Sequence, residues 1–166
     1  TTMWLVPQIV DAVSPLPVIA AGGIADGRGM AACFALGAEG IQMGTRFVCT
    51  EECEVHPLYK EAIVKAQDRS TVVTGNTTGH PVRCLRNRLT RKFEELEAQR
   101  APLAEIEALG SGRLREAVCG NVEEGSVMSG QVAGLIKDIK PVRQVIEDII
   151  VEFKETVKKL PQMVDD

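Results

Sequence analysis

Two glycine turns, each placed directly after a short apolar run, constrain this chain more than any other feature. Pro17-Val18-Ile19-Ala20-Ala21 leads into Gly22-Gly23, and Gly40-Ile41-Gln42-Met43 leads into Gly44-Thr45. The first run is apolar without alternation, which suits a strand buried on both faces, as in a parallel sheet. Between the turns, Asp26 is placed to cap a helix over 27–36 rich in Ala, Met and Leu, and Gly37 to end it. Ahead of them, Leu5, Ile9 and Val13 recur at helical spacing over 3–13, with Val6 and Val10 alongside. Ser14-Pro15-Leu16-Pro17 stops that helix, because proline cannot continue the hydrogen-bond ladder. Helix, strand, helix, strand with short joins is the rhythm of a parallel α/β fold. Two strands cannot complete such a sheet. The chain is therefore expected to be a fragment, or to be completed by another chain, with open sheet edges that favour association.

Glycine at a strand end has a chemical consequence as well as a conformational one. Without a Cβ, backbone N–H groups can approach an anion closely. A helix beginning near Gly27 would add its positive end. Gly44 again permits close approach, and Thr45 adds a hydroxyl donor. Barrels of alternating strands and helices commonly hold a phosphate at such adjacent turns, usually after strands seven and eight. The plain alternative is that the glycines only make tight turns. A Rossmann reading fails, because the spacing is not G-x-G-x-x-G and no acidic residue follows at a strand end.

After Thr45 the alternation stops. Helical spacing predicts a helix over 55–67 with Leu58, Ile63 and Ala66 inward. A second, over 84–99, carries Leu85, Leu89, Phe93 and Leu96 on one face. Thr71–Thr74 is the one further strand-like run. A short helix over 103–109 ends at Gly110, another turn of helix is expected at 114–119, and the small-residue loop 125–130 leads into a helical stretch over 131–137. The last helix follows the 3.6-residue period through Val142, Val145, Ile146, Ile149, Phe153, Val157 and Leu160. Its apolar face is expected to pack on its own domain or to serve a homo-oligomer. This divides the chain into 1–50, 51–140 and 141–166.

Composition narrows the class. Hydrophobic residues make up 45% and charged residues 25%, as in ordinary globular domains. No apolar run approaches the roughly 20 residues of a membrane span, and Thr1–Trp4 begins no signal pattern. A net charge of −4 argues against nucleic acid as a partner. The cysteines, 33, 49, 53, 84 and 119, are scattered and lack zinc spacing, so no metal is expected and reduced thiols of a cytoplasmic protein are. No Ser-His-Asp order or carboxylate pair emerges. Arg83, Arg86, Arg88, Arg91 and Lys92 form a basic cluster. It reads either as a solvated face balanced by Glu94, Glu95 and Glu97, or as a landing site for an anionic partner.

Several segments together resemble the nitronate monooxygenase superfamily. They are Pro17–Ile24, Asp26-Gly27-Arg28-Gly29, Phe34–Gly40 and Gln42-Met43-Gly44-Thr45-Arg46-Phe47. Gly79-His80-Pro81-Val82-Arg83 with Arg86-Asn87, and Gly125–Leu135, look like its flavin-type enoyl-acyl-carrier-protein reductase branch. The resemblance implies an FMN-binding (β/α)₈ TIM barrel. This chain would be about its C-terminal half: the last two βα units, then a mostly helical region. Gly22, Gly23, Gln42, Met43, Gly44 and Thr45 would bind FMN, chiefly its phosphate. Met128, Ser129, Gly130 and Gln131 would return over the flavin side, and His80, Arg83 and Arg86 would serve substrate or partner. NADH or NADPH would be the co-substrate, and a small-molecule or carrier-protein-bound thioester the substrate. The family's catalytic histidine has no match in this chain. His56 instead reads as a surface helix start, and His80 as part of a stiff turn.

Overall fold

The computed structural model describes residues 2–163. Thr1 and the end of the expected tail, 164–166, lie outside the described residues. Its elements are α1 (Thr2–Val13), β1 (Ile19–Ala21), α2 (Gly27–Ala35), β2 (Gly40–Gln42), α3 (Thr45–Val48), α4 (Pro57–Val64), β3 (Thr71–Thr74), β4 (Val82–Leu85), α5 (Arg88–Ala98), α6 (Leu103–Gly110), α7 (Arg113–Val118) and α8 (Val142–Lys159). Short 3₁₀ turns cover Gln131–Leu135 and Pro161–Met163. The chain forms two compact units: residues up to Glu52 with those from Lys140 onward, and Cys53–Ile139. Among the described residues, no helix is long and apolar enough to cross a membrane.

In the first unit β1 and β2 pair in parallel, with Ala21 opposite Gln42. Val6, Ala20, Ile24, Cys33 and Ala38 form the core beneath them, with Val10, Ile41 and Met43 packed against it. Two expectations change here. The face of α1 that meets the core carries Val6 and Val10, while Leu5 and Ile9 are exposed. β1 is covered on one face only: Ala20 is buried, but Ile19 is 66% exposed. Both follow from a sheet of two strands, whose helices α1 and α2 cover a single side.

Asp26 caps α2 as expected, its Oδ1 accepting the Gly29 N–H at 2.9 Å. Gly37, at a φ of +93°, ends it. The partner of α2 is α8. An added Cβ on Gly27 would lie 2.3 Å from the Phe153 backbone nitrogen and 2.4 Å from the Ile149 carbonyl oxygen, so the two backbones meet where only glycine fits. The contact is extended by an edge-on pair of Phe34 and Phe153, with ring centroids 5.3 Å apart. The Glu52 carboxylate accepts the Val142 N–H at the start of α8, and Thr50 bridges to Lys140. The chain thus leaves this unit and rejoins it at one place. The expected apolar stripe of α8 is only partly used, since Val145 and Ile149 are buried while Ile146, Val157 and Leu160 are exposed.

The second unit is less helical than its sequence suggests. Thr71–Thr74 pairs antiparallel with β4, which the helical spacing of Leu85 and Leu89 had hidden. The expected helix from 84 therefore starts at Arg88. Asn87 is the reason. Its Oδ1 accepts the Thr90 N–H and its own N–H donates to Thr90 Oγ1, both at 3.0 Å, a reciprocal cap that ends the strand and starts the helix. Its buried Nδ2 donates to the carbonyls of Val122 and Gly125. Leu89, Phe93 and Ile106 form a core cluster, with Leu96 and Leu109 against it. In α4, Ile63 points inward as expected, as does Ala66 just beyond it, but Leu58 is exposed and Tyr59 takes the inward place. The helical stretch expected after Gly130 is present as a 3₁₀ helix over Gln131–Leu135.

Gly27→Ala separates packing from helix propensity. Alanine is the better helix former, but here it meets backbone that cannot move aside. Chemical denaturation of the full-length protein should show a loss of roughly 1–3 kcal/mol, the range for overpacking.

Candidate functional site

The register of β1 on β2 brings six of the expected ligand-binding residues to one sheet end. Gly22 and Gly23 follow β1 directly, with φ of +95° and +76°. An L side chain rarely adopts this left-handed region, so the turn itself requires glycine. Gln42 is the last residue of β2, exposed, and opposite Ala21. Met43 lies against the core, Gly44 precedes α3, and Thr45 begins it.

Gly44 differs from the other two. Its φ of −93° is open to any residue, and an added Cβ there would meet nothing within 4 Å. Neither backbone conformation nor packing within the described chain asks for glycine at this position. A ligand approaching the backbone would. The spaces above Gly22 and Gly23 are similarly open, their nearest neighbour being Thr2 Oγ1 at 4.0 and 3.9 Å. That hydroxyl donates to the Gly22 carbonyl at 2.9 Å and steadies the turn.

One expected donor is taken. The start of α2 was to add its positive end to the anion cradle. Instead the Gly27 N–H donates to Glu152 Oε2 at 2.8 Å and the Gly29 N–H to Asp26. Arg28 ion-pairs with Asp26 and with Glu152. The hydrogen bond and charge of Asp26, helped by Glu152, raise its pKa above the ordinary value. Carboxylates of this unit thus occupy the helix end.

The remaining expected residues lie in the second unit. Met128 makes an isolated antiparallel bridge to Cys84 and Ser129 donates its N–H to the Arg83 carbonyl, so this segment runs beside β4. The Met128 carbonyl accepts the Tyr59 hydroxyl at 2.8 Å. Gly130 and exposed Gln131 then open the 3₁₀ turn. His80, Arg83 and Arg86 do not converge. His80 is exposed in the turn between β3 and β4 and lines a pocket. Arg83 donates to Thr71 Oγ1 at 3.1 Å, and Arg86 pairs with Glu94 at 3.0 Å. Lys92 pairs with Glu124. His56 caps α4, its Nδ1 accepting the Leu58 N–H.

No feature of the sequence marked the pocket beside His80. It has a volume of about 470 Å³. Phe93 had read only as part of a helix's apolar face, and Gly110 only as a helix stop. Among the described residues, no group of His, Cys, Asp and Glu is arranged to hold a metal ion.

The geometry defines a class: a parallel α/β unit with paired glycine turns at its strand ends, carrying a second unit between α3 and α8. Comparison gives the family. The nitronate monooxygenase family model matches residues 1–152, and the chain belongs to that family, whose homologues here are flavin-dependent oxidoreductases. The chain is 38% identical over 160 residues to a probable nitronate monooxygenase of Staphylococcus saprophyticus, covering 95% of this chain and 44% of that protein. Its fold matches the structure of FabK from Thermotoga maritima with a TM-score of 0.94 and 58% identity, over 98% of this chain and 52% of the other. It also matches a nitroalkane oxidase from Streptomyces ansochromogenes, with a TM-score of 0.76 and 31% identity over 95% of this chain and 44% of the other. The chain therefore spans about half the length of the proteins it matches.

The cysteines give a test of this arrangement. Cys33, Cys49 and Cys84 are buried and Cys119 is exposed. Burial raises the Cys84 thiol from 9.0 to about 11. A thiol reagent at pH 8 should label Cys119 readily and the three buried thiols only after denaturation. Because the folded value lies above the unfolded one, the Cys84 contribution to stability is full below about pH 9 and is lost as pH rises through about 11.

Proposed function

We propose that this chain holds the phosphate of FMN in an oxidoreductase, and that the whole protein is an NAD(P)H-dependent enoyl-acyl-carrier-protein reductase. The observation carrying this reading is the 58% identity, across 98% of the chain, to FabK, an enoyl-acyl-carrier-protein reductase. In this reading β1 and β2 are the last two strands of a TIM barrel. The residues fit the cofactor: Gly22, Gly23 and Gly44 leave open space at adjacent strand ends, and Gln42, Met43 and Thr45 stand beside them. Backbone N–H groups of the two turns hold the phosphate, and the Thr45 hydroxyl adds a donor. Met128, Ser129, Gly130 and Gln131 are assigned to the flavin side. Bound FMN supplies hydride transfer between the nicotinamide and the substrate, and the protein orients it and excludes water. His80, Arg83 and Arg86 are assigned to the substrate or its acyl carrier protein.

A second reading is a nitronate monooxygenase, favoured by the family model and by the curated relatives of that name. Assays of the full-length holoenzyme separate the two, run anaerobically with thioester and in air with nitronate. The first predicts NADH or NADPH oxidation that depends on crotonyl thioester. Nitronate-dependent O₂ uptake without thioester turnover would establish the second in its place.

Gly44→Val tests the cradle. The side chain would stand in space the chain leaves empty, so thermal stability of the apoprotein should be unchanged. Flavin affinity, measured by fluorescence titration, should fall roughly tenfold or more, the equivalent of about one charge-assisted hydrogen bond. Unaltered affinity would remove Gly44 from the site.

A further inference from the structure

The pocket beside His80 lies wholly within the second unit and is a half-open cleft lined by the β3–β4 turn, α5, α6 and α7. Val82, Phe93, Ile106, Leu114 and Met128 give it apolar walls, and Gly75, Gly110 and Gly112 keep its interior open. Its volume of about 470 Å³ falls within the roughly 300–1,000 Å³ of small-molecule sites. Gly110 has a packing reason of its own: an added Cβ would lie 3.1 Å from the Phe93 ring, closing the space against the pocket wall. Leu114 stands 44% exposed at the rim although it lines the pocket, and Met128 is similarly uncovered. Polar groups line it too, among them exposed His80 and buried Thr74 and Ser126. Apolar walls with a few polar groups fit a ligand with a flexible hydrocarbon tail and a polar head.

Met128 also begins the segment assigned to the flavin side, and His80, assigned to the substrate, lines the same pocket. We propose that this pocket receives the acyl chain of a medium-chain thioester, and that Leu114 sets the chain length accepted. The proposal rests on the reductase reading for the identity of the head group. The tail is argued from the walls alone. A four-carbon crotonyl group would leave most of the space empty, whereas an eight-carbon chain places four further methylenes against Phe93, Ile106 and Leu114. Each buried methylene is worth roughly fourfold in affinity.

The test uses the full-length holoenzyme and its Leu114→Trp variant, whose indole would fill the rim. For the wild type, kcat/KM should be at least tenfold higher for 2-octenoyl than for crotonyl pantetheine thioester, with the difference in KM. In the variant that ratio should fall at least tenfold, while the KM for NADH or NADPH stays within twofold. An unchanged ratio in a folded variant, or a shift in the nucleotide KM instead, overturns the proposal. Calorimetry of wild-type protein with octanoyl and acetyl pantetheine needs neither turnover nor the variant. Tighter octanoyl binding supports the pocket even where no thioester is reduced, an outcome that would sink the reductase reading alone. Equal or undetectable binding of the two overturns the pocket assignment.

Discussion

Parallel pairing of β1 with β2 is the interaction on which the candidate site depends. A parallel ladder fixes the direction of both strands, so their C-terminal ends must emerge on the same edge. With Ala21 opposite Gln42, the turns at Gly22-Gly23 and Gly44-Thr45 become neighbours although α2 separates them in sequence. A register shift of one residue would also exchange which side chains meet the core, exposing Ala20 and burying Ile19. The cluster of Val6, Ile24, Cys33 and Ala38 beneath Ala20 resists that exchange. Core packing and ligand geometry are thus set by the same backbone bonds.

The two glycine classes in this unit answer different demands. Gly27 is required by the protein itself, where α8 presses its backbone onto α2. Gly22 and Gly23 are required by a left-handed turn. Gly44 is required by neither, and the space beside it is open. The same contact that needs Gly27 brings Glu152 onto its N–H. Helix docking therefore uses the positive end of α2 within the protein itself.

The second unit is organised around Asn87. Its side chain ends β4, starts α5 and ties down the carbonyls of Val122 and Gly125. That loop leads into Val127–Ser129, which is bonded along β4 through a single bridge at Met128. One buried amide thus positions both the α5 wall of the pocket and the segment that carries Met128. The basic residues nearby serve largely local partners, Arg86 with Glu94 and Lys92 with Glu124. Exposed ion pairs of this kind contribute little stability.

Local chemistry made much of this legible in the sequence. The Asp26 cap, the Gly37 stop, the strand at 40–42 and the glycine turns each rest on interactions within a few residues, so residue type alone determined them. Helical spacing misled where two readings shared the same letters. Leu85 continues a helical stripe as well as it ends a strand, and only pairing with Thr71 across the sheet decided between them. Leu5 against Val6, and Leu58 against Tyr59, are choices between adjacent faces that depend on which surface the helix meets. The sequence by itself determined where the glycine turns at the strand ends stand and what family their surroundings resemble. The tertiary structure alone decided that the α2 end is closed by Glu152, that His80, Arg83 and Arg86 part company, and that Phe93, Ile106 and Leu114 line a pocket. Each of these depends on residues distant in the chain, brought together by packing that carries no local mark.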